Sequence, residues 1–223
     1  MRGKIIVIEG TDSTGKKTQA RELAARLKAA GIPAENAAFP SYESPFGALT
    51  ADYLQGKFGS LSRVPVESAA LLYSADRYQY KKEFEDKLAQ GVWLVIDRYT
   101  SSSFGHQAGK LADAGERERC VDWLKAVESR LPPADCIVFL DLPVAVSLEL
   151  KAKRAGKHAG TDLHEEDARH LEDSRRAYLE VAERDGWLTV DCLAGGALRS
   201  IDSIASEIWE GLKANNLIPP SPE

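Results

Sequence analysis

The apolar run from Lys4 to Glu9 stops at a glycine, and the residues that follow are Gly10-Thr11-Asp12-Ser13-Thr14-Gly15-Lys16-Lys17-Thr18, after which a helical pattern begins at once. A buried strand, a glycine-bounded loop and a helix start, in that order, are the setting of a phosphate-binding P-loop. The glycines let the backbone turn its N–H groups inward, and the first turn of the helix adds partial positive charge at the same spot. Lys16 would reach the β- and γ-phosphates as a mobile point charge. Gly10, Ser13, Thr14, Gly15, Lys16, Lys17 and Thr18 are therefore expected to hold a nucleoside triphosphate. An accidental glycine-rich turn is the alternative.

One position departs from the usual loop, which has Ser or Thr directly after the lysine to hold Mg²⁺. Here that residue is Lys17, and the hydroxyl comes one later, at Thr18. A protonated lysine cannot ligate a metal. Either nucleotide oxygens, waters and a strand-end carboxylate hold the ion, or Thr18 shifts to serve it. The first is expected, because one residue along a helix rotates a side chain by roughly 100 degrees.

Further short apolar runs lie at Ala34 to Phe39, Val92 to Asp97, Cys136 to Asp141 and Trp187 to Asp191. Runs of this kind read as buried parallel strands. Helical patterns occupy Lys17 to Ala30, Pro65 to Gln90, Val144 to Arg154, Glu165 to Asp185 and Leu198 to Leu212. The alternation predicts an α/β domain, a mainly parallel five-stranded sheet with helices on both faces. Several runs end in Asp or Glu, and ligands of such sheets sit at the carboxyl ends of the strands. A chain of 223 residues fits one domain, 1–223, around one core. Its tail, 215–223, has three prolines and no periodicity and is expected to be frayed.

A net charge of −5 argues against a dedicated nucleic-acid binder. Small anions remain possible ligands, since a local cluster of Lys and Arg can bind them on an acidic chain. The three cysteines have no metal-type spacing and leave one unpaired, so they read as thiols of a reducing cytoplasm. No run has the length of a signal-peptide core or of a membrane helix, so a soluble protein is expected.

On the acceptor side, the third run ends in Asp97-Arg98-Tyr99 before Thr100-Ser101-Ser102-Ser103-Phe104-Gly105-His106-Gln107. A strand-end Asp can serve a metal or its waters while the adjacent guanidinium grips a phosphate; structural ion pairs of this kind are at least as common. Tyr73 and Arg77, four apart in Leu71-Leu72-Tyr73-Ser74-Ala75-Asp76-Arg77, share one helix face. They could stack a base and bond its edge, or be a core aromatic and a surface ion-pair partner.

The P-loop, Phe39-Pro40, Leu71 to Arg77 and Asp97-Arg98-Tyr99, in this order, resemble the thymidylate kinase family, with further matches at Tyr53 to Gly56, Phe139 to Pro143 and Asp162 to Glu165. The likeness runs from about Ile5 to Asp191. It implies the P-loop NTPase fold with a mobile lid, ATP as donor, Mg²⁺, thymidine 5′-monophosphate as acceptor, and a homodimer. By position it implies that Tyr73 stacks on thymine, Arg77 bonds a base carbonyl, Arg98 holds the acceptor phosphate and Asp12 helps place the sugar and that arginine. Phe39 and Pro40 would border the acceptor. His106 falls where the family often has an aromatic residue near the sugar's 2′ carbon. Ser102 matches a family serine; Ser103 replaces an asparagine or small residue, and Gln107 would share the bonding to the base. Where the family often has an arginine beside Phe-Pro, this chain has Ser41 and Tyr42.

The segment 151–166 is basic and glycine-punctuated, as a mobile cover over triphosphate would be. Since Ser13 and Thr14 bring no arginine to the loop, Arg154 is the first candidate for a catalytic cation, followed by Lys153 and Lys157. Together with Lys16, Arg98, Asp97 and Asp12 it completes the expected catalytic set. No Asn-Lys-x-Asp guanine reader is present, and Phe39-Pro40-Ser41 offers no carboxylate base directly, although Glu43 is near. A GTP switch and a deoxynucleoside kinase are therefore the rival readings. A catalytically weak nucleotide-binding relative is a third.

Overall fold

The computed structural model describes residues 2–60, 63–155 and 162–218, without the side chains of 154–155 and 162–167. Five parallel strands, β1 (Ile5–Glu9), β2 (Ala34–Ala38), β3 (Trp93–Asp97), β4 (Cys136–Asp141) and β5 (Leu188–Asp191), form one sheet in the order β2-β3-β1-β4-β5. This is the expected P-loop NTPase architecture. Helices α1 (Lys16–Ala29), α2 (Pro45–Leu54), α3 (Val66–Tyr78), α4 (Lys81–Ala89), α5 (Ser102–His106), α6 (Ala114–Val127), α7 (Val144–Ala155), α8 (Asp162–Asp185) and α9 (Ile201–Ala214) connect and flank the strands.

Central β1 is apolar without alternation because both of its faces are covered. Ile6 and Ile8 pack with Leu23 and Leu27 of α1 and with Ile208 and Leu212 of α9. Ile5 and Val7 pack on the other face with Phe39, Phe84, Leu94, Ile96 and Tyr99. Parallel pairing puts every carboxyl end on one edge of the sheet. The loop after β1 and the Asp97-Arg98 turn after β3 thereby become neighbours.

The structure corrects several expectations. Two of the runs read as buried, β2 and β5, are the edge strands of the sheet, with Glu35 and Asn36 of the one and Thr189 of the other exposed. The helix expected over Pro65 to Gln90 is two, α3 and α4, parted at Gln79 and Tyr80. No proline or glycine stands there. Instead the junction is held sideways: Gln79 Nε2 donates to Ser44 Oγ and Asp76 Oδ1, both at 2.7 Å, Tyr80 Oη lies 2.7 Å from Ser41 Oγ, and Tyr78 Oη donates to the Val127 carbonyl. The last helix starts at Ile201, capped by Ser200, and not at Leu198. A two-residue hairpin precedes it, β6 (Leu193–Ala194) and β7 (Ala197–Leu198), turning on Gly195 and Gly196. Both glycines have positive φ, 58° and 80°, as such tight turns demand. Finally, the tail is docked as far as Ile218, which is 6% exposed within the core, and Lys4 Nζ donates to the Leu217 carbonyl at 3.0 Å. Residues 219–223 lie outside the described residues.

Two helices that periodicity did not single out carry clear start signals. Ser44 caps α2 by accepting from Gly47 N at 3.0 Å with Pro45 in the first turn, and Asp113 caps α6 by accepting from Glu116 N at 2.9 Å.

Candidate active site

Gly10 is the tightest point of the phosphate loop. A Cβ there would stand 2.7 Å from Thr14 Oγ1 and 2.9 Å from the Leu140 carbonyl, so only glycine fits. Gly15, at φ 91°, starts α1 with no side-chain cap and no acidic residue in the first turn. The first N–H groups of α1 are thus left for an anion. Lys16 folds back on the loop, donating to the Thr11 carbonyl at 2.6 Å, which also accepts from Thr14 Oγ1 at 3.1 Å. Burial pulls the Lys16 pKa down to about 7, with the charge of Arg98 as the next cause, against the opposing pull of Asp12, Asp97 and Glu9.

A bound triphosphate would oppose that depression, so nucleotide binding near pH 8 should take up a proton, approaching about one per site, with little uptake from this lysine near pH 6. Calorimetry in buffers of different ionisation enthalpy measures this. Uptake of the same size in Lys16→Ala would show that the proton goes elsewhere.

Lys17 is exposed and Thr18 half-buried on the next position of α1. Asp97, at the end of β3, has a buried Oδ1 without a hydrogen-bond partner among the described residues. Burial raises its pKa, while Lys16, Arg98 and Lys17 act to lower it.

Arg98 adopts a left-handed backbone, φ 66°, in the turn after β3. Its NH2 pairs with Asp12 Oδ1 at 2.7 Å and its NH1 lies 2.6 Å from His106 Nε2. A guanidinium only donates, so this contact assigns His106 Nε2 as an unprotonated acceptor and places the imidazole hydrogen on Nδ1. That nitrogen is 3.4 Å from Ser174 Oγ and 3.5 Å from His170 Nε2, both on α8. Burial, then the charge of Arg98, hold the His106 pKa well below the ordinary histidine value. The His106 ring thus braces the arginine.

Behind this pair stands Glu9, fully buried at the end of β1. Its Oε1 accepts from Tyr99 N at 3.1 Å and Ser101 Oγ at 2.8 Å, and its Oε2 from Ser102 Oγ and Tyr178 Oη, each at 3.0 Å. One carboxylate thereby ties the turn after β3, α5 and α8 to the phosphate loop. Ser102 directs its hydroxyl into this tie.

Tyr73 and Arg77 do share a face of α3. Tyr73 meets Tyr53 edge to face, centroids 6.2 Å apart. Arg77 is no surface residue: it is 1% exposed, its Nε donates to Glu128 Oε1 at 2.6 Å and its NH2 to Ser103 Oγ at 2.9 Å. Gln107 is buried and accepts from Lys110 Nζ at 2.9 Å; the same ammonium donates to Tyr53 Oη. Phe39 lies in an aromatic cluster with Tyr80, Phe84 and Tyr99, and Pro40 is half-buried after it. Asp76, fully buried, pins the following loop by accepting from Ser41 N at 2.9 Å and Ser44 Oγ at 3.0 Å. The Arg154 side chain and Lys157 lie outside the described residues.

Sequence reasoning missed Glu9, Asp76, Glu128 and Tyr178. Only Glu9 left a signal, an acid ending an otherwise apolar buried run. Each of the others has a partner 32 or more residues away, Asp76 in Ser44, Glu128 in Arg77 and Tyr178 in Glu9.

Residues 8–205 match the family model described as thymidylate kinase. A human thymidylate kinase is 41% identical over 145 residues, 65% of this chain and 63% of that protein. One from Arabidopsis thaliana is 34% identical over 70% of this chain and 53% of its own length. The matched part of this chain therefore spans under two thirds of each of these two relatives. One from Afipia carboxidovorans is 32% identical over 95% of this chain and 90% of its own length. Among solved structures, a thymidylate kinase from Candida albicans superposes with a TM-score of 0.70 at 26% identity, covering 99% of this chain and 96% of that one.

Proposed function

This chain belongs to the thymidylate kinase family, and from that premise we propose that it transfers the γ-phosphoryl group of ATP to thymidine 5′-monophosphate, giving the diphosphate. The observation that carries the reading is the 2.7 Å contact between Asp12 and Arg98. It joins the two halves of the site, a residue of the phosphate loop and an arginine whose place beyond β3 suits the acceptor phosphate.

The loop amides and Lys16 take the donor phosphates, Arg98 takes the acceptor phosphate with Asp12 and His106 setting its angle, and Tyr73, Arg77, Ser103 and Gln107 meet the base. The attacking oxygen needs no general base, because a phosphate monoester with a second pKa of about 6 is already anionic near neutrality. Catalysis is then alignment and charge neutralisation. Arg154, at the end of α7, is the cation we assign to the closing lid. ADP release with and without thymidylate tests the reading. Release that ignores thymidylate would refute it, and release stimulated by thymidine alone would indicate a nucleoside kinase.

Asp97 fits a role toward Mg²⁺: its buried Oδ1, without a hydrogen-bond partner among the described residues, is the kind of oxygen that water bound to a divalent cation would satisfy. The ion would supply charge neutralisation at the donor phosphates. Lys17→Thr is expected to keep activity and lower the half-saturating Mg²⁺ about two- to threefold, by adding a hydroxyl and removing a like charge. Asp97→Asn should raise it about tenfold. Titrating Mg²⁺ at fixed ATP checks both. Loss of activity in a folded Lys17→Thr protein would make Lys17 itself a phosphate-contacting cation.

The same proposal includes a homodimer joined through α2 and α3, where Phe46, Leu49 and Leu71 stand exposed. Light scattering of wild type and Leu71→Glu checks it, with a mass near two chains expected for wild type and near one for the variant. We also place the protein in the cytoplasm. Burial raises the pKa of Cys120 and Cys136 to about 11 and of Cys192 to about 12, which keeps them in the thiol form near neutral pH. Among the described residues no helix is long and apolar enough to cross a membrane.

A further inference from the structure

Glu128 is an acid where fold stability alone would not place one. It is the C-cap residue of α6, next to the partial negative charge of that helix end. Its side chain is 2% exposed. Its Oε2 is buried, and the Ser74 hydroxyl beside it helps to hold the carboxylate in its charged form. A buried ion pair is weak evidence for stability, since apolar residues of the same volume often serve as well. A carboxylate buried this deeply at a helix C-terminus calls for another reason.

The geometry supplies one. Glu128 Oε1 takes both the Nε and the NH2 of Arg77 at 2.6 Å, so a single oxygen forks one edge of the guanidinium. Ser103 Oγ accepts from the same NH2 at 2.9 Å from the other side, at the start of α5. The planar group is therefore fixed in its plane, and NH1 is the nitrogen that neither contact uses. Tyr78, one residue beyond Arg77, donates to the Val127 carbonyl at 2.7 Å, which docks the end of α6 against α3 and holds the carboxylate in place. The carboxylate also balances a guanidinium that would otherwise be a lone buried charge. A base can then be told apart by the direction of its hydrogen bonds, with net charge cancelled.

We propose that Glu128 is a specificity-determining positioning residue, which locks Arg77 as a fixed donor and so sets the preference for a base with a carbonyl at its 4 position over one with an amine. The inference rests on the thymidylate reading of the site. A locked donor facing an exocyclic amine meets another donor and cannot retreat; a freed guanidinium can.

Glu128→Gln keeps the volume and one acceptor, and its amide can donate to Ser74 Oγ. The experiment compares wild type and variant with thymidine, deoxyuridine and deoxycytidine monophosphates, and with ATP varied. The expected result is a KM for thymidylate raised about tenfold, a kcat within about threefold, an unchanged KM for ATP, and a thymidylate-over-deoxycytidylate preference in kcat/KM reduced at least about tenfold. Deoxyuridylate should follow thymidylate, since it keeps the carbonyl.

A purely structural tie would lower the melting temperature and depress all acceptors alike with the preference intact; that outcome overturns the proposal. Glu128→Asp keeps the charge and with it the fold, while drawing the fork back by about one methylene. Its preference should fall more than about threefold, and a smaller change in a folded protein also overturns the proposal. A wild-type protein that phosphorylates none of the three nucleotides would defeat the thymidylate reading itself. Wild-type activity with an unchanged preference in both variants would defeat only the assignment of Glu128.

Discussion

Lys16→Ala is expected to fold as well as wild type or better, and to lose roughly a hundred- to a thousandfold in kcat. Both halves follow from the same burial. In the free protein Lys16 is enclosed, with the Thr11 carbonyl at 2.6 Å as its hydrogen-bond acceptor, and its pKa is drawn down to about 7 by that burial. The unfolded chain therefore binds more protons at this position between about pH 7 and the ordinary lysine value, so stability from this group rises with pH across that window. At neutral pH and below, the buried ammonium is a cost to the fold that alanine removes. With a triphosphate present the balance inverts, because a cation in a water-poor loop stabilises charge on the β- and γ-oxygens far more than one in water would. Thermal melting of the free variant and steady-state ADP release together check the claim. A variant that melts well below wild type, or one that turns over at the wild-type rate, would rule out this role for Lys16.

The second large effect is expected at Arg98. Arg98→Met should lower kcat/KM for thymidylate by about a thousandfold, or about 4 kcal/mol of transition-state stabilisation, with both kcat and KM contributing. The arginine spends NH2 on Asp12 and NH1 on His106. Its backbone is left-handed, φ 66°, and its guanidinium stands against Asp12 of the phosphate loop. Arg98→Lys should recover little, since one ammonium cannot bridge Asp12, His106 and a phosphate in a planar fork. An independent readout comes from linkage. Arg98 is the second cause of the depressed Lys16 pKa and of the depressed His106 pKa. In Arg98→Met both should rise, and proton uptake on nucleotide binding should begin at higher pH than in wild type. Wild-type acceptor kinetics in Arg98→Met would refute the phosphate-gripping role. An unshifted proton uptake would refute the electrostatic coupling.

These expectations differ in how far the chain alone reveals them. The phosphate loop and the strands could be read directly. The runs Cys136 to Asp141 and Val92 to Asp97 match β4 and β3 to within a residue. The reason is that a doubly covered strand must be apolar on both faces through its interior, and a phosphate loop must have glycine where a Cβ would collide, as at Gly10. Such constraints act on residues near one another in the chain and leave a periodic or fixed-spacing mark. Tyr73 and Arg77 could be paired for the same reason, since four residues along a helix return to one face.

The tertiary structure alone decided what those residues are held against. The break between α3 and α4 has no proline or glycine to announce it; it exists because Gln79 and Tyr80 bond to Ser44 and Ser41 across the fold. Arg77 could be read as a surface ion-pair partner until Glu128, 51 residues on, closed around it in the core. His106 could be read as one more ring near a sugar until Arg98 made it an acceptor. The tail after Asn215 looked free until Lys4 reached the Leu217 carbonyl from the opposite end of the chain. Contacts of this kind join single polar groups from distant elements, so they have neither period nor spacing. Their partners are set by how helices pack on the sheet, and buried donors and acceptors then have to be satisfied wherever that packing brings them.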